Sequence, residues 1–215
     1  MKTNKIKGVI FDLDGTLVDS FQAIYLGFHH VYTKMGLAPL SYDEVKKVVG
    51  RGLGHTFGEL LGEERVPQAI FLFREKYEEV LRTHTHLLPD VRVVLETLYG
   101  RGIQLAVATN KLGRFSRAIF EHLRMEKLFT IIVGDGDVSP NKPHPAMLFF
   151  ALEKMGLGKE DAVFVGDSVI DIQTAQNAKM SVYSVPTGNS AREDLEKAQP
   201  TAILDRLSDL VNLVL

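Results

Sequence analysis

One ten-residue stretch, Phe11-Asp12-Leu13-Asp14-Gly15-Thr16-Leu17-Val18-Asp19-Ser20, constrains this chain more than any other. The run Ile6 to Phe11 before it is mostly apolar and β-branched, the pattern of a buried strand. Two carboxylates follow two residues apart, then Gly15 and Thr16. With strand geometry carried through Asp14, both acids face the same way at the strand's carboxyl end, where open α/β sheets bind ligands. Like charges held that close repel strongly unless a cation or a proton intervenes. The competing reading is a solvated acidic turn, and the rest of the sequence has to separate the two.

After this stretch the hydrophobic period changes. Phe21, Ile24, Phe28, Val31 and Met35 recur every three or four positions and predict a helix, with Asp19 or Ser20 as N-cap and Gly36 as stop. Ser41-Tyr42-Asp43-Glu44 is a capping box that opens a second helix. Two more helices are expected over Thr56–Leu61 and about Pro67–Arg82. Residues 18–84 thus read as helical throughout, with no strand signal. From Pro89 onward helices and strands alternate. Strands are expected at Ile103–Ala108, Thr130–Val133, Ala162–Val165 and Val182–Val185, with an edge strand at Ala202–Leu204 and a closing helix from Asp209. Strands separated by helix-length segments imply βαβ units. The predicted architecture is a doubly wound, Rossmann-like parallel α/β core, residues 1–17 and 85–215, with a helical domain, residues 18–84, inserted after the first strand.

Composition narrows the function classes. The 215 residues are 45% hydrophobic and 24% charged, enough for a sizeable core. A net charge of −2 with dispersed Lys and Arg gives no electrostatic reason to expect nucleic acid or a membrane surface as partner. Without cysteine there are no disulfides, thiolate metal sites or cysteine nucleophiles. The start Met1-Lys2-Thr3-Asn4-Lys5 carries no signal-peptide hydrophobic region, and no apolar run reaches bilayer length, so a cytoplasmic protein, monomer or homodimer, is expected.

The polar candidates all fall at ends of predicted strands. Asp12 and Asp14 end the first, Thr109 and Asn110 the second, and Asp167 a later one, with Asp171 one helical turn on. Lys142 lies in the loop Ser139–Pro143. In a parallel sheet these ends open on one edge. Several carboxylates without histidine or cysteine suit a hard, oxygen-preferring ion, Mg²⁺ above all. A lysine among them suits a bound anion. Such a set fits phosphoryl transfer, in which a cation lets a carboxylate approach a phosphate dianion. An Asp nucleophile divides the reaction into two steps, and a neighbouring carboxyl moves the protons.

Asp12-x-Asp14-Gly15-Thr16, Thr109-Asn110-Lys111, Lys142-Pro143-His144-Pro145 and Gly166-Asp167-Ser168-x-x-Asp171 resemble, in order, the four motifs of the haloacid dehalogenase superfamily. Their wording is most similar to the phosphoglycolate phosphatase and pyrophosphatase-like branch, and the inserted helices resemble that superfamily's small cap. The resemblance implies Asp12 as nucleophile and metal ligand, and Asp14 as general acid/base that lends its backbone carbonyl to the metal. It implies Asp167 as the further Mg²⁺ ligand, and Asp171 as a supporting residue that orients water or Lys142. Thr16, Thr109, Asn110 and Lys142 would serve the phosphate. An Asp at position 14 sets the chain apart from dehalogenases and phosphonate-cleaving relatives. The implied activity is a Mg²⁺-dependent phosphatase for a small phosphorylated metabolite, 2-phosphoglycolate first, with pyrophosphate or a sugar phosphate behind it. A β-phosphoglucomutase-type phosphomutase would share every core residue, and a non-catalytic module would have lost one.

In the inserted segment, Gly50-Arg51-Gly52-Leu53 is the loop suited to reach a substrate, with Arg51 placed to meet a second anionic group. His29-His30 and His84-Thr85-His86 lack the spacing of a metal site. Asp90 and Lys179 stand where relatives carry glycine, and Lys179 is expected to strain or re-route its turn.

Overall fold

The computed structural model describes residues 5–215. β1 (Gly8–Phe11) is wholly buried and pairs in parallel on both sides, with β4 (Gln104–Leu112) and with β6 (Ala162–Gly166). β5 (Phe129–Asp135) lies outside β4, and β7 (Ser181–Ser184) and β8 (Ala202–Ile203) lie outside β6. All five pairings in this six-stranded sheet are parallel. The chain therefore moves outward on one side of β1 and returns to build the other. That is the topological switch point at which a crevice opens beyond the strands' carboxyl ends.

Alternating residues of β1 feed two cores. Val9 and Phe11 join a cluster with α5 (Val91–Gly100), α6 (Gly113–His122) and α10 (Asp209–Val214). Ile10 joins the opposite cluster with α7 (Ala146–Met155), α8 (Val169–Ala178) and α9 (Arg192–Lys197). Both faces of the sheet are thus covered by helices, as a parallel sheet requires. Among the described residues no helix is long and apolar enough to cross a membrane.

Four helices stand between the first strand and the rest of the sheet: α1 (Phe21–Lys34), α2 (Tyr42–Val48), α3 (Leu53–Leu61) and α4 (Val66–Val80). Their apolar stripes meet in an aromatic cluster. Phe28 lies 4.8 Å from Phe57 and 5.6 Å from Phe73 between ring centroids, and Phe73 stacks on Tyr77 at 5.2 Å. Tyr77 in turn meets Phe115 of α6 at 5.1 Å, joining this cluster to the sheet's core. The Ser41 capping box forms as the sequence predicts.

Residues 18–84 are not helical throughout. β2 (Val18–Asp19) and β3 (His86–Leu87) form an antiparallel ribbon where the chain leaves the sheet and where it comes back. Two-residue strands carry no periodicity, which is why sequence reading misses them. α9 is a second addition, short and largely polar. Residues 1–4, the start of the first core segment, lie outside the described residues.

Both positions where the chain departs from glycine adopt the left-handed backbone that glycine favours. Asp90 has φ 65° and Lys179 has φ 55° at the end of α8. The turn is therefore kept and the Cβ strain accepted rather than avoided by re-routing. Lys179 is exposed. Lys179→Gly should raise the unfolding free energy by about 1 kcal/mol, read by urea denaturation. An unchanged or lower value would show that the lysine's own contacts outweigh the strain.

Candidate active site

Regular strand geometry stops at Phe11, and a tight turn takes over. The backbone N–H groups of Thr16, Leu17 and Val18 all donate to Leu13 O, and Gly15 N donates to Val18 O. Asp14 is therefore placed by a turn and not by strand alternation, and the two acids acquire different surroundings. Asp12 faces Lys142, whose Nζ lies 2.7 Å from Asp12 Oδ1. Asp14 accepts two hydrogen bonds from Lys111 Nζ, at 2.9 and 2.8 Å, and one from the Ser20 hydroxyl.

Lys142 reaches the site from the loop between β5 and α7, with its side chain almost wholly buried. Its Nζ also donates to Asp171 Oδ1 at 2.7 Å. Asp171 sits in the first turn of α8, where its Oδ2 accepts from the Ser168 backbone N–H at 3.0 Å and the Ser168 hydroxyl at 2.6 Å. This is a capping box built with aspartate. Both Asp171 oxygens are thus engaged. Asp167 follows β6 directly, and its Oδ1 accepts from the Thr16 hydroxyl at 2.7 Å. Gly15 and Gly188 close over its other oxygen. A Cβ on Gly15 would come within 2.7 Å of Asp167 Oδ2, and one on Gly188 would overlap that carboxylate.

Ligand oxygens of Asp12, Asp167 and Asp171 lie within 4.8 Å of one another, all three residues buried. Burial, with Asp171 and Asp14 adding repulsion, pushes Asp12 up to about 6 despite the opposing pull of Lys142. Burial and then the charges of Asp171 and Asp12 raise Asp167 well above the usual carboxylate range. Lys142 is pushed the other way from its burial, upward, chiefly by Asp12 and Asp171. Three clustered carboxylates facing one ammonium remain short of positive charge, and the donor set is oxygen only. That is a fit for a hard divalent cation at Asp12 and Asp167, the two with oxygen left to give.

Thr109 and Asn110 end β4 beside the acids. Thr109 is buried, and its hydroxyl accepts from Lys111 N at 3.2 Å. Asn110 is occupied by protein. Its Oδ1 accepts from Lys142 N at 2.8 Å, and its Nδ2 donates to Lys142 O at 3.0 Å and to Gly50 O at 2.9 Å. Asn189, in the loop after β7, donates to the adjacent Val49 O at 2.6 Å. Two core amides thus hold consecutive carbonyls of the loop between α2 and α3. Below that loop is a cavity of about 80 Å³, with Asp12, Asp14 and Lys111 at its floor and Phe28, Phe73 and Tyr77 among its walls. Arg51 is not part of it. Its side chain is more than half exposed and sits 3.2 Å from Glu59 and 3.1 Å from His55. The cavity's arginine is instead Arg74 of α4.

The pattern of the haloacid dehalogenase-like hydrolases matches residues 9–185. The chain belongs to that family. Phosphoglycolate phosphatase 1 of Pseudomonas aeruginosa is 31% identical over 212 residues, covering 94% of this chain and 78% of the relative. Phosphoglycolate phosphatase of Yersinia pestis is 31% identical over 218 residues, covering 98% and 94%. Among solved structures, a predicted phosphoglycolate phosphatase from Haemophilus somnus superposes with a TM-score of 0.88 at 28% identity, each chain fully covered. A predicted phosphatase from Clostridium acetobutylicum gives 0.89 at 27% identity, with 98% of each chain covered.

Sequence reading of this hydrolase misses three residues. Lys111 adjoins the Thr109-Asn110 pair, and Asn189 follows a strand end like the other candidates. Arg74 falls four residues after Ile70 and three before Tyr77, a charge on an apolar stripe. An unfolded aspartate loses its proton near 3.8, whereas folded Asp12 keeps it to about 6. Between those values the folded state binds more protons, so Asp12's contribution to stability falls as pH rises. In metal-free protein, the stability of wild type relative to Asp12→Asn should decline from about pH 4 to about pH 6 and then level. A flat difference in urea unfolding over that range would show that folding does not disfavour the ionised carboxylate.

Proposed function

We propose that the protein is a Mg²⁺-dependent phosphatase that hydrolyses a small phosphorylated metabolite through an aspartyl-phosphate on Asp12. The observation that carries this reading is the buried group Asp12, Asp167 and Asp171 with Lys142 bridging the first and third. Full-length similarity to relatives named phosphoglycolate phosphatase makes 2-phosphoglycolate the candidate substrate. Asp12, Asp167 and the Asp14 backbone carbonyl would hold the ion. When bound, it supplies the positive charge that lets an anionic nucleophile approach a phosphoryl dianion.

An Asp12 carboxylate oxygen attacks phosphorus, the aspartyl-phosphate bond forms, and the bond to the ester oxygen breaks. Asp14 gives that oxygen its proton, then takes one from the water that hydrolyses the aspartyl-phosphate. Lys111 and Ser20 fix where the Asp14 carboxyl sits. Lys142 balances charge on the phosphoryl oxygens, and Asp171 holds Lys142 in place. Thr109 offers its hydroxyl to a phosphoryl oxygen. Thr16 serves the phosphate indirectly, by holding Asp167. Asn110 acts through the Lys142 loop and the Gly50 carbonyl, both of which already use its amide. A cavity of about 80 Å³ is far below the roughly 300–1,000 Å³ of drug-sized sites. It favours a metabolite of a few carbons.

Asp12→Asn should lower phosphate release from 2-phosphoglycolate by at least about 10³-fold while leaving the far-ultraviolet spectrum unchanged. EDTA should abolish wild-type turnover, and added Mg²⁺ should restore it. Retained activity in either arm would remove the nucleophile or the metal from the scheme. With a hexose phosphate panel, isomerised product without released phosphate would point to a phosphomutase instead.

A further inference from the structure

Arg74 is the cation in this cavity that the chemistry just described leaves unused. Lys142 is committed to Asp12 and Asp171, and Lys111 to Asp14. Arg74 lines the same cavity, yet no carboxylate of the described residues lies within ion-pair distance of it. Its Nε is buried and has no hydrogen-bond partner. The residue as a whole is half-buried, and the one N–H that it buries without a partner is left for an acceptor that the protein itself does not supply.

Its position in the fold says where that acceptor would lie. The Tyr77 ring carries Lys111 Nζ at 4.7 Å from its centroid, and Lys111 bonds Asp14. α4 runs toward the β2–β3 ribbon, so Arg74, three residues earlier, stands about 4.5 Å further up the same wall, away from the carboxylates. Acidic floor, apolar aromatic middle and guanidinium top then describe the ligand. It has a phosphate at Asp12, a short carbon link against the rings, and an anion at the far end. A planar guanidinium takes a carboxylate with two parallel N–H bonds, and a cavity of about 80 Å³ leaves little room for anything bulkier.

We infer that Arg74 is a specificity-determining residue that binds the carboxylate of a short phosphorylated carboxylic acid, the role that sequence patterning assigns to Arg51. The inference rests on the phosphatase reading, so its test measures binding as well as turnover. Two esters of like size are compared, 2-phosphoglycolate and ethyl phosphate, with wild type and Arg74→Gln. Wild type should favour the carboxylate ester in kcat/KM by about 10- to 100-fold, and Arg74→Gln should collapse that ratio to within about threefold. Arg74→Lys should keep part of the preference, and Arg74→Glu should move it toward O-phosphoethanolamine. Calorimetric titration of the Asp12→Asn protein in Mg²⁺, with and without Arg74→Gln, should give the same discrimination with no turnover. If no ester is hydrolysed but 2-phosphoglycolate still binds in an Arg74-dependent way, the phosphatase reading fails and this assignment stands. Equal losses for both esters, an unchanged ratio, binding of neither ester, or a preference of wild type for pyrophosphate over 2-phosphoglycolate would overturn it.

Discussion

The mutual repulsion of Asp12, Asp167 and Asp171 is the constraint on which the rest of the structure depends. Three carboxylates with oxygens inside 4.8 Å would drive a chain apart unless their surroundings held them. Each is held by a different device. Asp12 follows the central strand of a sheet paired on both sides, Asp171 is locked into the first turn of α8, and Asp167 is closed in by two glycines. Lys142 then ties two of the three together. The raised proton affinities of Asp12 and Asp167 record what burial, and after it this proximity, cost the ionised carboxylates. The electrostatic strain and the fit to a small cation proposed for this site have the same origin.

The four inserted helices are joined to this site by contacts of two kinds. Aromatic packing from Phe28 through Phe73 and Tyr77 to Phe115 is broad and tolerant of small shifts. The amides of Asn110 and Asn189, donating to Gly50 O and Val49 O, are directional and few. The first kind keeps the helices docked, and the second sets the height of the loop above Asp12. Asn110 does both ends of this work, because the same side chain clamps the Lys142 backbone. Loop position and lysine position are therefore not independent.

Much of the fold is legible in the sequence because its strands are apolar runs bounded by glycine and its helices keep a clean period. The core acids are legible too, since each sits directly beyond such a run. What stays hidden is what period and spacing do not encode. The β2–β3 ribbon is too short to show alternation, and α9 has only Leu195 buried. The separation of Asp12 from Asp14 depends on a turn whose hydrogen bonds converge on Leu13 O, so an i, i+2 rule applied to this pair gives the wrong partners. Arg51 has the composition of a substrate contact, but Glu59 and His55 on the helix that follows it compete for it. Arg74 looks like an interruption of an apolar stripe, and only the docking of α4 over the cleft gives it a use.

The ribbon has a mechanical consequence. Both passages of the chain into and out of the helical segment are bonded to each other through Val18–Leu87 and Asp19–His86. Two crossings joined in this way bend together and resist shearing, so they behave as a single pivot. Asp14 is bridged to Val18 at the root of that pivot and touches Ser20 just beyond it. Any swing of the helices is then felt first at the residue assigned to carry protons. Access to the cleft and the placement of its acid share one axle.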